Sequence, residues 1–225
     1  MSPGFSSLNL IFLGPPCAGK GTQARLLAER YCIPHLATGD LLRDEVRRRT
    51  ATGEQVKEIM ATGKLVPDPI LSGLILPRLH LDGAARGFIL DGYPRNVEQA
   101  SLLDGILAEL NRSLERVLLF TVSEEEIFRR ARGRRVHPVS GRTYHLELNP
   151  PRRVAGGDET GEVLIARADD DEEVVRRRVL VWRQRTAPLA EVYRRRGLLV
   201  EIEGGLPLAE VTEAVAQVVA APVGA

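Results

Sequence analysis

Residues 14–22 read Gly-Pro-Pro-Cys-Ala-Gly-Lys-Gly-Thr, directly after the apolar run Leu8–Leu13. Apolar run, glycine-rich turn, lysine and amphipathic segment, in that order, specify a phosphate-binding loop between a buried strand and a helix. The glycines let backbone N–H groups converge on an anion, and the following helix adds its positive dipole end. Lys20 is placed to reach the β- and γ-phosphates of a nucleotide. The general pattern has Ser or Thr directly after the lysine; here Gly21 takes that place and Thr22 comes one later. The chain has only three lysines, Lys20, Lys57 and Lys64, so 28 of its 31 basic residues are arginine. A chain so biased toward arginine still carries the compact ammonium where phosphates must be touched.

Outward from this loop, short apolar runs alternate with longer amphipathic segments, which is the signature of strands joined by helices in a parallel sheet. The runs Leu8–Leu13, His35–Ala37, Gly87–Asp91, Arg116–Val122 and Leu198–Ile202 read as strands. Segments Lys20–Tyr31, Gly39–Arg49, Glu54–Thr62, Pro69–Leu81, Val97–Leu110, Glu124–Arg132, Asp171–Arg196 and Pro207–Val219 read as helices. The expected fold is a three-layer α/β/α phosphate-loop domain with a parallel five-stranded sheet. Its core is expected from residues 1–36, 67–132 and 171–225. Residues 37–66 form a charged helical insert. Residues 133–170 carry Gly, Pro, Arg and short alternating runs, and read as a small β insert, because a structureless connection of that length is unusual in a compact domain.

Bulk properties narrow the function. At 225 residues with 44% apolar and 27% charged content, one main domain with inserts is the natural reading. A net charge of +1 provides no global field for nucleic acid or membrane. No run is long enough to span a bilayer, and residues 1–7 do not resemble a secretory signal. Two cysteines, Cys17 and Cys32, make no disulfide framework and suit a reducing compartment, so a cytoplasmic location is expected.

Phosphoryl transfer asks for two phosphate-bearing partners held in line while the charge on the equatorial oxygens is neutralised. Arg43, Arg95, Arg130, Arg134, Arg167 and Arg178 lie in separate segments and could converge for that purpose. Thr38-Gly39-Asp40 ends one strand and starts a helix, with Asp40 a candidate cap. Asp91 ends the run Phe88-Ile89-Leu90-Asp91, where a carboxylate beside a phosphate loop orients magnesium or its waters, a structural salt bridge being the other reading. Gly92-Tyr93-Pro94 then turns Arg95 back over the strand ends, the edge at which open α/β sheets bind ligands.

Taken together, these residues resemble the adenylate kinases, in the long-lid form of the nucleoside monophosphate kinase family. The resemblance runs from about Leu8 to Val215. It is carried by residues 14–22, Thr-Gly-Asp-Leu-Leu-Arg (38–43), Gly-Lys-Leu-Val (63–66), Asp-Gly-Tyr-Pro-Arg (91–95), Gly-Arg-Arg-Val-His-Pro (133–138), Ser-Gly-Arg-Thr-Tyr-His (140–145), Asn-Pro-Pro (149–151) and Arg-Ala-Asp-Asp (167–170). It implies the reversible reaction ATP + AMP ⇌ 2 ADP with Mg²⁺. By resemblance, residues 37–66 close over AMP and 133–170 form a lid over ATP. Cys17, Ala18, Gly19, Lys20, Gly21 and Thr22 would hold ATP phosphates, with Thr22 and Asp91 contacting magnesium through waters. Arg130 would stack on the ATP base, Arg134, Thr143 and Tyr144 would contact ATP from the lid, and Leu206 would offer its carbonyl to the adenine. Thr38, Arg43, Lys64, Leu65, Val66, Gly92, Tyr93, Pro94, Arg95 and Gln99 would hold AMP. Arg167 and Arg178 would clamp phosphates of AMP and of the transferred group. Lys20, Arg95, Arg130, Arg134, Arg167 and Arg178 are the expected catalytic set. A monomer is expected, since both inserts must swing freely.

Three departures stand out. Cys17 takes a place where the family usually has glycine, and its position near Lys20 and a helix start makes it either a reactive or an inert packed thiol. Leu148 stands where relatives often carry phenylalanine. Some long-lid relatives hold zinc with four cysteines or with cysteine and aspartate, but the matching places here are His137, Ser140, Asp158 and Thr160. Hydroxyls are poor zinc ligands, so a polar network and no structural zinc is expected. His35, His80 and His145 read as structural, and Tyr93–Pro94 is a candidate cis peptide by resemblance. A GTP:AMP phosphotransferase, another nucleoside monophosphate kinase, or a non-catalytic ATP-binding module remain alternatives at this point.

Overall fold

The computed structural model describes residues 7–138, 142–151 and 162–221. Five strands, β1 (Leu8–Leu13), β2 (His35–Ala37), β3 (Gly87–Asp91), β4 (Arg116–Thr121) and β7 (Leu199–Glu203), form one parallel sheet in the order β2-β3-β1-β4-β7. The strand that feeds the phosphate loop is central. Its neighbours β3 and β4 lie on opposite sides, so the chain reverses direction across the sheet at the carboxyl end of β1. That switch point is where open α/β sheets form a ligand crevice.

Strand periodicity builds two cores at once. Ile11 and Leu13 of β1, Phe88 and Leu90 of β3, and Val117 and Leu119 of β4 enter one apolar cluster. Leu10 and Phe12, Ile89, and Leu118 and Phe120 enter the other. Helices cover both faces, so every residue of β1 is buried. On one face lie α1 (Lys20–Tyr31) and α9 (Leu208–Ala220), which contribute Leu27, Val211, Val215 and Val219. On the other lie α4 (Asp68–Leu79), α5 (Val97–Glu109) and α8 (Leu189–Arg195), which contribute Leu71, Ile75, Leu103, Leu107 and Leu189. The expected three-layer fold is therefore present.

Two further regions border the sheet's carboxyl edge. Helices α2 (Thr38–Arg47) and α3 (Ala51–Ala61) follow β2. After α6 (Glu124–Gly133), β5 (Arg134–Val136) and β6 (Thr143–His145) make an antiparallel pair, which Ile165 extends through a bridge to Val136. The long helix read over Asp171–Arg196 needs correction. It is divided into α7 (Glu172–Val181), a π-helical turn (Trp182–Thr186) and α8. Ala187 N–H reaches back five residues to the Trp182 carbonyl at 2.8 Å. Pro188 explains the break, because it has no N–H to continue the ladder. Among the described residues, no helix is long and apolar enough to cross a membrane.

Candidate active site

The phosphate loop is built almost entirely from main chain. Gly14 has φ +142°, and a Cβ there would lie 2.7 Å from the Phe120 carbonyl oxygen, so only glycine fits this crossing over β4. Cys17 also adopts a positive φ, 61°. The chain thus keeps the left-handed turn with a side chain that disfavours it. Helix α1 starts at Lys20 with Gly19 as its N-cap, which supplies no side-chain acceptor. An uncapped helix start leaves polar N–H groups for an anion. Lys20 Nζ folds back onto the loop, donating to the carbonyls of Gly14 (2.9 Å) and Pro15 (2.7 Å). Burial pushes its pKa down.

Beyond the loop lies a cavity of about 700 Å³ lined by Lys20, Arg43, Arg95, Arg130, Arg134, Arg167 and Arg178 among others. Five of these arginines face carboxylates. Arg178 donates to Asp169 at 2.8 Å, which also lies 3.8 Å from Arg43. Asp40 accepts from Arg43 at 2.6 Å and stands 3.9 Å from Arg167. Asp170 holds Arg134 by two bonds, and Glu126 holds Arg130 at 2.7 Å. Burial raises the Asp169 carboxyl, but Arg178, Arg43, Arg134 and Arg167 outweigh it and hold its pKa below the usual value.

Lys20 and Arg95 differ. Among the described residues neither has a carboxylate partner. Arg95 donates through Nε to the Gly92 carbonyl (2.8 Å) and through Nη2 to Thr38 Oγ1 (3.0 Å). Burial and then the charge of Arg178 push the Arg95 guanidinium down to about 10. Burial and the charges of Arg43 and Arg134 do the same to Arg167, also to about 10, and its buried Nε has no partner. These groups remain cations at neutral pH. Half-buried cations held close to one another repel, and a polyanion would offset that repulsion.

Asp91 ends β3 beside the loop, its Oδ2 being 3.4 Å from the place a Cβ on Gly21 would take. Burial raises its pKa, but His35, Lys20 and Arg95 outweigh this and keep it ionised, with His35 Nε2 3.5 Å from Oδ2. Oxygen donors of this kind suit magnesium, which takes one or two carboxylates plus substrate phosphates and waters. Among the described residues no group of three His, Cys, Asp or Glu is placed to hold a metal by itself. His137 is buried with Glu162 3.5 Å away, whereas Ser140, Asp158 and Thr160 lie outside the described residues.

The remaining sequence-derived candidates divide into two groups. Cys17, Ala18, Gly19, Gly21, Thr22, Lys64, Leu65, Val66, Gly92, Pro94, Thr143, Tyr144 and Leu206 line the same cavity. Thr38, Tyr93 and Gln99 do not; they are 1%, 0% and 2% exposed and lie behind Arg95. Gln99 Oε1 accepts from Arg95 N–H (2.7 Å), and its Nε2 donates to Asp68 (2.7 Å), so both ends of the amide are engaged. Tyr93, joined to Pro94 by a cis peptide, meets Ser72. Asp40 is not a helix cap: Ala37 is the N-cap of α2 and Asp40 faces arginines. Sequence reasoning also missed Asp68 and Thr186, whose hydroxyl donates to the Arg95 carbonyl at 3.0 Å. No local signal marks them, since each acts only through a contact distant in sequence. Asp169 and Asp170 stood inside a quoted motif without a role, and their spacing from Arg178 on α7 was the available signal.

A phosphate loop facing a cluster of half-buried arginines across one cavity defines a phosphate-loop phosphotransferase. The family model described as adenylate kinase matches residues 12–198. Proteins named adenylate kinase from Anaeromyxobacter sp. (strain Fw109-5) and Trichlorobacter lovleyi are 47% and 46% identical, over 87% and 93% of this chain and 91% and 98% of their own lengths. One from Archaeoglobus fulgidus is 42% identical over 88% of this chain and 91% of its own length. The chain belongs to the adenylate kinase family and is a nucleoside monophosphate kinase.

Proposed function

We propose that the reaction is ATP + AMP ⇌ 2 ADP, run with magnesium inside the 700 Å³ cavity. The observation that carries this reading is that Lys20 of the phosphate loop and Arg95 across the cavity, both half-buried and, among the described residues, without a carboxylate at ion-pair distance, line one space. In this reading the loop and Lys20 hold the donor phosphates, and Arg95 meets the acceptor phosphate. Arg43, Arg134, Arg167 and Arg178 exchange their carboxylates for phosphate oxygens as the two nucleotides arrive. Thr22 and Asp91 would hold magnesium through waters, and the ion would supply neutralisation of charge on the phosphates. Arg130, Leu148 and Leu206 flank the space for the donor base.

Residues 37–66 and 133–170 act as closing inserts over the acceptor and donor nucleotides. Closure excludes water, the competing acceptor. Arginines that neutralise a transferring phosphoryl group accelerate such steps by roughly 10³–10⁵. Thr38, Tyr93 and Gln99 support AMP binding chiefly by fixing Arg95 and its turn. A monomer in the reducing cytoplasm fits the swinging inserts and the two free thiols, Cys17 and Cys32.

The test mixes purified protein with ADP and magnesium and follows ATP and AMP by chromatography. Both products in equal amounts are expected. Turnover with GTP in place of ATP as donor, or with CMP or UMP as acceptor, at equal rates would overturn the adenine assignment. Absence of ATP formation would overturn the reaction itself.

A further inference from the structure

His145 is the last residue of β6, reads as structural from sequence, and yet lines the cavity. Its backbone closes a five-residue turn. His145 N–H donates to the Asn149 carbonyl (3.0 Å), and Asn149 N–H returns to the His145 carbonyl (3.2 Å). The imidazole fills the middle of that turn. Nδ1 accepts from the N–H groups of Glu147 (3.1 Å) and Leu148 (3.0 Å). An Nδ1 that accepts twice carries no proton, so the neutral ring holds its proton on Nε2. Nε2 is buried against the last turn of α6 and has no hydrogen bond of regular geometry. A Cβ on Gly133 would lie 2.3 Å from ring atoms Cε1 and Nε2, so the ring needs glycine at that point. The turn it organises carries Glu147, Leu148 and Asn149 to the cavity wall, with Arg130 and Leu206 lining the same cavity.

We infer that His145 is a positioning residue for the donor nucleotide: its unprotonated Nδ1 holds residues 146–149 in place against the base, and proton binding at Nδ1 releases them. This rests on the adenylate kinase reading above. A proton on Nδ1 turns an acceptor into a donor facing two donors, so both bonds are lost together. The charged groups facing the ring are Arg129 and Arg130 from α6, Arg134 across the strand pair, and Glu147 of the turn itself. Burial, with the two α6 arginines, lowers the His145 pKa against the opposing pull of the Arg129 carbonyl and Glu147. The ring is therefore neutral at pH 7, and release belongs to the acidic side of its ordinary range. AMP, bound through other residues, is untouched.

The test compares wild type, His145→Asn and His145→Gln, measuring KM for ATP, KM for AMP and kcat from pH 5.5 to 8, with thermal unfolding of each. Asn places Oδ1 at the same bond distance as Nδ1 and cannot take the proton; the Gln oxygen lies one bond further out. At pH 7.5, His145→Gln is expected to raise KM for ATP by about five-fold or more, with KM for AMP within about two-fold. His145→Asn is expected to rescue most of that loss. The ratio of wild-type to His145→Asn KM for ATP is expected to climb as pH falls, a ratio from which the titration of ATP itself cancels. Equal changes in both KM values, no change in either, or Asn behaving like Gln overturns the inference. If His145→Gln does not fold, the pH ratio of the other two proteins decides. Wild type that makes no ATP from ADP overturns the underlying reading instead, so the two failures are distinct.

Discussion

The two walls of the cavity are built in opposite ways for the task proposed for them, holding polyphosphate. The wall at residues 14–22 is contiguous in sequence and offers main chain, a helix start and one lysine. The other wall draws Arg43, Arg95, Arg134, Arg167 and Arg178 from five separate segments and offers long side chains. The first wall demands unusual dihedrals, such as φ +142° at Gly14 and 61° at Cys17. The second demands counter-charges, which Asp40, Asp169 and Asp170 supply. Main-chain dipoles do not repel one another across a cavity, whereas five guanidinium groups do. The arginine wall therefore carries its own carboxylates, which offset that repulsion without ligand.

The largest expected effect separates catalysis from folding on the arginine wall. Arg95→Ala or Arg178→Ala should lower kcat by about 10³-fold or more, with far-UV circular dichroism unchanged. A rate within ten-fold of wild type from either variant would falsify its placement on the transferring phosphate.

On the loop wall the expected damage is to the fold. Gly14→Ala should destabilise by about 2–4 kcal/mol in urea unfolding, since its methyl meets the Phe120 carbonyl and strand β4 cannot retreat. Unchanged stability would show that the loop tolerates a side chain there, and the contrast between the walls would fail.

Asp169→Asn probes the counter-charges. Stability without ligand should fall by about 1–3 kcal/mol at pH 7, because Arg178 and Arg43 lose a partly buried partner. A bisubstrate inhibitor, two adenosines joined by five phosphates, should then raise the melting temperature more in the variant than in wild type. The Asp169 carboxyl has its folded pKa below 3.8, so its contribution is complete above that value and vanishes as pH drops through the lower folded value. Unfolding curves of the two proteins should accordingly converge only below pH 3.8. Convergence already at pH 5 would mean that some other group carries the difference.

The smallest effect is expected at the loop's odd residue. Cys17→Gly relieves the left-handed strain but frees the unfolded chain, leaving a net change under about 1 kcal/mol. A loss above 2 kcal/mol, read by thermal unfolding, would assign Cys17 a packing role that outweighs its strain.

What the chain order alone determined is whatever rests on neighbours in sequence. The run Leu8–Leu13 followed by Gly14–Thr22 specifies a strand, a phosphate loop and a helix, because burial period and glycine spacing are local properties. Alternating runs elsewhere specify the five strands, and the arginine and carboxylate types mark phosphate chemistry. Tertiary structure alone decided which charges are paired: Asp169 reaches Arg178 and Arg43, while the Arg95 guanidinium hydrogen-bonds a carbonyl and Thr38. It also decided that Gln99 faces Arg95 and Asp68, that the Trp182 turn widens ahead of Pro188, and that the His145 ring accepts two N–H groups. Electrostatic compensation and hydrogen-bond direction depend on distances across the folded chain, and residue spacing carries no record of those.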